Sequence, residues 1–490
     1  MRKHLFLAVS LLLLASCGSN EEATNTSSAD FLYATSTTTR ATATKTIYGI
    51  NASTGKTFKV ASDVSDYSLL LQFIPNNDGA EFSIKALVFT SNGKLYSLPL
   101  SNVQKITEIP TNNIKSIVNV FPLTGQSPGY VEADLTDGNE TIVDLSSNKV
   151  VATGNFSIVT DVLNLDSLLR EGFIVKRGEN LEACELPTFK CETMLSNVKD
   201  AFFSGRDLQT GNVFLTVQLN NGTYNLYEFS EAEGNLNLLY SSEEQIHPTF
   251  SNGGFLISTY NATTSTKTWK WIDANGTVET LKTTKLPASN YSEYHLNFNK
   301  DFVVSIKTEN DTLLEVYPYD GDNFTITNAT PIDLSSKYLI YQKDGKVVFL
   351  NKDTEEETTF NGTVPSFWGI VTSGILRKTM KFSNDESELT SMARKIVAYT
   401  KQSNGEIEIK ALDLDTLEEN PLGTIKGDSL LVTFGVEGSR YYEGEITYNN
   451  QTDIIIIDSQ TGTIKNITNT PDTSESMEGI YESILFNTIR

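Results

Sequence analysis

Histidine is the side chain whose charge changes most readily near neutral pH. This 490-residue chain holds three: His4, His247 and His295. His247 precedes Pro248 in what reads as a turn, and His295 lies in the strand-like run 291–298. Neither sits in a His-Glu-x-x-His metal motif, so both read as hydrogen-bonded histidines rather than ligands or acid/base groups. Ser-x-x-Lys occurs at Ser53/Lys56, Ser91/Lys94, Ser146/Lys149 and Ser196/Lys199, without companion motifs, and chance accounts for it. The run 49–57 places five residues between Gly49 and Gly55, where a phosphate loop needs four. The acidic stretches 134–140, 320–323 and 413–415 lack the glycine and glutamate positions of a calcium loop, so they read as solvated turns. Carboxylate pairs suited to glycosidic cleavage would come from distant segments, and with 61 acidic residues no spacing singles one out. Trp269 and Trp271 lie two apart, so on a strand they share one face. They are a candidate platform for a sugar or protein ligand, with packing inside the fold as the competing reading.

The N-terminus carries a different kind of chemistry. Met1-Arg2-Lys3-His4 is followed by an apolar run from Leu5 to Leu14 and then by Ala15-Ser16-Cys17. A short basic segment, an apolar segment too short to span a bilayer and a small-residue cleavage site make a secretory leader. With cysteine after the cut it resembles a bacterial lipoprotein signal. That resemblance implies that residues 1–16 are removed and that Cys17 is acylated. The alternative is an ordinary secretory leader that happens to contain a cysteine. Cys17 is not followed by aspartate, which by the same resemblance implies the outer membrane, on its periplasmic face or at the cell surface. The polar, aromatic-free stretch that follows gives residues 17–30 the character of an acylated cysteine on a flexible tether. Residues 31–490 are then one domain. The expected partners are the lipid bilayer, through Cys17, and an envelope protein or glycan.

Outside the cytoplasm cysteines pair. Cys184 and Cys191 flank a turn containing Pro187 and are expected to form a hairpin disulfide. The formal charge is −23, and becomes −25 when Arg2 and Lys3 leave with the leader. Such a chain is repelled by nucleic acid, which is excluded as a partner.

The elements that must position any site are strands. After residue 30, β-rich runs of four to eight residues alternate with turn signals: Asn92-Gly93, Asn221-Gly222, Asn275-Gly276, Asp344-Gly345, Asn404-Gly405 and Thr461-Gly462. Helical signal is confined to one short candidate, Asn384 to Lys395. Short antiparallel strands without helices predict an all-β fold, a β-propeller of seven or eight four-stranded blades at roughly 40–50 residues each. Tandem β-sandwiches are the alternative. Ring closure would pair the strand-like end at Ser483 to Ile489 with the early strands near Phe31 and Thr46.

Two segments carry a family resemblance. Tyr48 to Lys56, with Thr54-Gly55-Lys56, resembles the turn of pyrroloquinoline-quinone-type propeller repeats, without their following tryptophan. Ile455 to Pro471, with Asp458, Gly462 and the Ile467-Thr468-Asn469-Thr470-Pro471 tail, resembles the repeat of Tol-associated periplasmic propellers. Both imply a propeller. Neither implies a function, since one fold hosts many, and no cofactor is expected. The leading expectation is a non-enzymatic binding scaffold. The rivals are an extracytoplasmic glycan hydrolase or lyase and a structural envelope protein or adhesin.

Overall fold

A computed structural model of the chain describes residues 29–38, 43–76, 79–121, 129–162, 171–207, 210–231, 233–251, 253–273, 275–286, 291–309, 311–335, 337–363, 395–413, 416–433, 441–449, 451–458, 460–468 and 475–476. The leader, Cys17, nearly all of the tether, the helical candidate up to Arg394 and the segment 483–489 lie outside the described residues. Among the described residues every regular element is a strand. The strands form ten antiparallel sheets, nine of four strands and one of three. Nine of the sheets are meanders of consecutive strands, and the first takes its fourth strand from the other end of the chain. Blade 2 covers 66–109, blade 3 114–154, blade 4 157–196, blade 5 198–242 and blade 6 246–285. Blade 7 covers 292–327, blade 8 329–361, blade 9 395–426 and blade 10 429–466. In blade 9, Thr363 bridges to Tyr399 on the free edge of the strand Lys395–Lys401.

The tight turns expected from Asn-Gly and Asp-Gly are present. Asn92 and Gly93 have φ of 52° and 71°, and Asp344 and Gly345 have 50° and 70°. Two successive left-handed residues match the twist of the strands they join.

The middle strands explain the ring. They read as continuous apolar runs because each blade is covered on both faces. In the third strand of blade 10, Ile454, Ile455, Ile456 and Ile457 are all buried. Side chains alternate across a strand. Accordingly Ile454 and Ile456 join a core shared with blades 1 and 2, while Ile455 and Ile457 join one shared with blade 9. The same division recurs at Leu69/Leu70, Leu87/Val88 and Leu339/Ile340. Nine apolar clusters thus tie every blade to its two neighbours, and one of them joins blade 10 to blade 1.

Closure is completed by the chain's own end. Blade 1 consists of Phe31–Thr38, Ala43–Asn51 and Lys56–Val64, with Glu475–Ser476 as its innermost strand, pairing Ala34 with Ser476 and Thr35 with Glu475. The closing strand therefore falls upstream of the segment 483–489 expected to supply it. The count of seven or eight blades is corrected to ten. Blade 8, for example, fits four strands between residues 329 and 361 with hardly any loop.

The innermost strands touch one another across the seams of blades 2 and 3 and of every consecutive pair from blade 4 to blade 8, which places them around the centre of the ring. Among the described residues their inner edges pair with no other strand. Pro75, Pro248 and Pro331 all lie on these strands, where a missing N–H breaks no ladder bond. Backbone clips join blades at one end of the ring. Ile114 N–H donates to Gly93 O, Val198 N–H to Glu179 O, and Gly427 N–H to Gly405 O. In each case the start of one inner strand is fastened to the turn between the middle strands of the preceding blade.

Cys184 and Cys191 stand directly opposite each other across the outer hairpin of blade 4 and are disulfide-bonded, with S–S 2.02 Å. Replacing both with alanine is expected to leave the ring intact. It should lower unfolding stability by about 2–3 kcal/mol at most, because the closed loop is short. Denaturant titration with and without reductant measures this, and a wild-type midpoint unmoved by reductant would contradict it.

Candidate functional site

A ligand approaching the centre of the ring meets whatever the innermost strands expose. Where their side chains are described, three exposed residues are apolar or aromatic: Val118 at 41% exposure, Phe202 at 52% and Tyr294 at 42%. Three are basic or imidazole: Lys115, Lys199 and His247. The remainder carry hydroxyls: Ser157, Ser292, Thr330 and Ser429. None is acidic, in a chain with 61 acidic residues against 38 basic ones. The carboxylates whose side chains are described on these strands are engaged within the protein. Asp66 accepts from Ile117 N–H of blade 3 at 2.7 Å, and Asp161 pairs with Arg206 of blade 5 at 2.9 Å. Asp200 accepts from Ala201 N–H, Asp333 from Leu334 N–H, and Glu293 pairs with Lys267 of blade 6 at 2.6 Å. Outward-facing apolar residues such as Val150, Leu238 and Val278 sit one to an outer strand, as scattered surface residues ordinarily do.

Part of this wall is a phrase used twice. Asn113-Ile114-Lys115 opens blade 3, and Asn197-Val198-Lys199 opens blade 5. Asn113 and Asn197 have φ of 61° and 62°. This left-handed residue, tolerated by asparagine, turns the chain into the inner strand. The next residue is buried and the lysine is exposed. Bulges follow in both strands, so the exposed apolar residue comes three positions later, as Val118 and Phe202. The repeat is visible in the sequence but carries no signal of facing a common centre.

The two histidines, far apart in sequence, meet at the seam between blades 6 and 7. His247 is not in a turn. It lies on the inner strand Ile246–Ser251, since the adjacent Pro248 is accommodated on that free edge. His295 Nε2 lies 2.7 Å from Thr249 Oγ1, and its ring packs edge-on against Trp269 at 5.2 Å. Lys267 Nζ sits 4.7 Å over the Trp269 ring while donating to Glu293, both partners being nearly buried. Burial, then Lys267 and His247, push His295 down to about 4. Burial and Lys267 also lower His247, against the opposing pull of Glu293. Both imidazoles are therefore neutral at pH 7. The cluster locks two blades together, and only His247 reaches the exposed wall.

Trp269 and Trp271 share a face as expected, but they are 1% and 4% exposed in the core between blades 6 and 7. Their faces are covered by that core, so they offer no surface platform. Close packing here is enforced by Gly254, where a Cβ would fall 2.2 Å from Ile272 O and 2.8 Å from the Trp271 ring.

One carboxylate pair is brought together. Glu132, 1% exposed on blade 3, accepts from Asn119 Nδ2 at 2.5 Å and from Ile158 N–H of blade 4 at 2.9 Å. Glu140 hydrogen-bonds to it. Burial, then Glu132 and Asp134, raise Glu140 to about 9, so at neutral pH it holds a proton and donates it to Glu132. This pair faces the backbone of the next blade rather than the centre of the ring. Of the acidic turns, Asp137 accepts from the Asn139 backbone N–H and side chain at a hairpin tip. Asp320 and Asp322 lie in an exposed turn, and the stretch from Asp413 runs outside the described residues. Among the described residues the one group spaced for a metal is Glu182, Cys184 and Cys191, whose sulfurs are already bonded to each other.

Comparison with known proteins returns similarity of shape at low identity. The chain is similar to a structure titled as the eukaryotic initiation factor, at TM-score 0.44 and 10% identity, covering 90% of this chain and 97% of that one. It is similar to the WD40 domain of SCAP from fission yeast, at TM-score 0.34 and 11% identity over 77% and 93%. A putative TolB from Agrobacterium tumefaciens gives TM-score 0.23 and 14% identity over 63% and 86%. No protein-family model matches the chain, and no curated protein matches it. The propeller assignment rests on the strand topology and the closed series of cores.

Two pH effects follow, of opposite sign. His295 takes up its proton near 6.5 when unfolded and near 4 when folded. Its contribution is complete above pH 6.5 and is lost as pH falls toward 4. H295Q should flatten the acid limb of a plot of melting temperature against pH, and an unchanged limb would refute the assignment. Glu140 keeps its proton in the fold up to about pH 9, against 4.5 when unfolded. Stability from it is full below 4.5 and declines as pH rises toward 9. E140Q should therefore melt higher than wild type at pH 8, with little difference at pH 4.5.

Proposed function

We propose that this chain is a lipid-anchored β-propeller of the cell envelope that binds an envelope protein or glycan on the wall of its inner strands. The observation that carries the binding role is the exposure of Val118, Phe202 and Tyr294 at the centre of the ring. Three separate blades, 3, 5 and 7, each expose an apolar or aromatic side chain on their innermost strand. Rigid strands hold them, so binding incurs little ordering entropy. The lipobox-like run ending at Cys17 supports the anchor, since several acyl chains on one residue attach a protein stably. The glycan hydrolase or lyase reading would need carboxylates at the wall, and none is exposed among the inner-strand side chains that are described. The Glu132–Glu140 pair is occupied by Asn119 and the blade 4 backbone, so we prefer the binding reading.

Anchoring is tested by C17S. The wild-type chain should sediment with membranes and incorporate labelled palmitate, while C17S should do neither. Sedimentation of C17S equal to wild type would defeat the anchor. Binding is tested by cross-linking in envelope preparations, comparing wild type with F202A/Y294A. Both residues are exposed, so the variant should fold normally and lose its cross-linked partner.

A further inference from the structure

We infer that the inner-strand wall takes a carboxylated polysaccharide, with its acid groups on Lys115 and Lys199 and its sugar rings on Phe202 and Tyr294. This inference rests on the binding role proposed above and names its ligand class.

Charge gives the first argument. The chain is strongly acidic, yet among the inner-strand side chains that are described two lysines and no carboxylate are exposed. Neither lysine has an ion-pair partner among the described residues, while the inner-strand acids are held in hydrogen bonds or ion pairs. A cationic centre inside an acidic body concentrates anions there and repels them elsewhere. Compact ammonium groups on flexible stems suit carboxylates presented at variable angles.

Repetition gives the second. Blades 3 and 5 present the same unit, an exposed lysine followed three residues later by an exposed apolar side chain, with Ser157 of blade 4 exposed between them. A wall built from repeats fits a polymer built from repeats. The chemistry of the unit selects the polymer. Aromatic rings stack on the C–H faces of sugars, hydroxyls exchange hydrogen bonds with sugar hydroxyls, and the lysines read a carboxylate. A neutral glycan would leave both lysines unanswered, and a peptide of acidic residues alone would leave the rings without flat faces to stack on.

The test uses the full-length chain in nonionic detergent and titration calorimetry with oligomannuronate and oligoglucuronate. Methyl-esterified forms of both, and a poly-glutamate peptide of matching charge, serve as controls. At least one uronate oligomer should bind. K115A/K199A should weaken it by about tenfold, as should raising the salt to about 0.5 M. F202A/Y294A should weaken it by roughly tenfold or more, as loss of aromatic anchors does. The melting temperatures of both variants should match wild type, since all four side chains are exposed. Equal binding of the methyl esters would overturn the role of the lysines. Equal binding of poly-glutamate would overturn the saccharide. If no uronate binds while F202A/Y294A still loses an envelope partner, this inference fails and the binding role stands. If that variant keeps its partner as well, both fall.

Discussion

A single four-stranded blade cannot bury itself. Its two middle strands are apolar on both faces, so it needs a neighbour on each side, and every neighbour has the same need. The only arrangement without an unsatisfied face is a closed ring. The four consecutive isoleucines of blade 10 show the constraint at residue level, since alternate members serve opposite neighbours. Losing one blade's packing would therefore expose two apolar faces at once. The join between blades 10 and 1 carries the same apolar core as the other seams, reinforced by Glu475–Ser476.

Polar groups are distributed around that constraint. Buried acids and bases sit mainly at seams, where a partner on the next blade can satisfy them: Asp66 with the Ile117 amide, Glu132 with the Ile158 amide, Asp161 with Arg206, Glu293 with Lys267 and Lys352 with Asp301. Ion pairs in such places add little net stability, but removing one partner leaves the other charge stranded. The same economy leaves no exposed carboxylate among the described inner-strand side chains, because those acids bond into the seams or to their own backbone. The neutral-to-cationic wall is thus a by-product of how the ring is fastened, and it separates the chemistry of the centre from that of the acidic exterior.

The innermost strands combine two properties that a binding surface needs. Their backbone is held by the clips at their starts and by pairing on one side, so exposed side chains such as Phe202 and Tyr294 are presented from fixed positions. Their free edge tolerates proline and bulges, which allows side chains to be re-aimed without loss of the sheet. The histidine cluster shows the complementary use of the same region. His295, Thr249, Trp269, Lys267 and Glu293 are consumed in joining blades 6 and 7.

Local chemistry is what the sequence determined by itself. Asn-Gly and Asp-Gly turns, β-branched runs and the absence of helical periodicity specify antiparallel hairpins, because these signals act within a few residues. The Cys184–Cys191 bond was legible for the same reason, since a short hairpin has one way to bring the two sulfurs together. The blade count was not legible, because loop length and strand length compensate in a linear reading and only pairing partners separate one blade from the next. The histidines showed no relation in sequence because 48 positions and a blade boundary divide them. The tryptophans shared a face as alternation required, but whether that face meets solvent or a neighbouring blade depends on the ring. The wall at the centre is likewise a product of closure. Asn-Ile-Lys and Asn-Val-Lys are ordinary phrases until ring closure brings their strands to the centre.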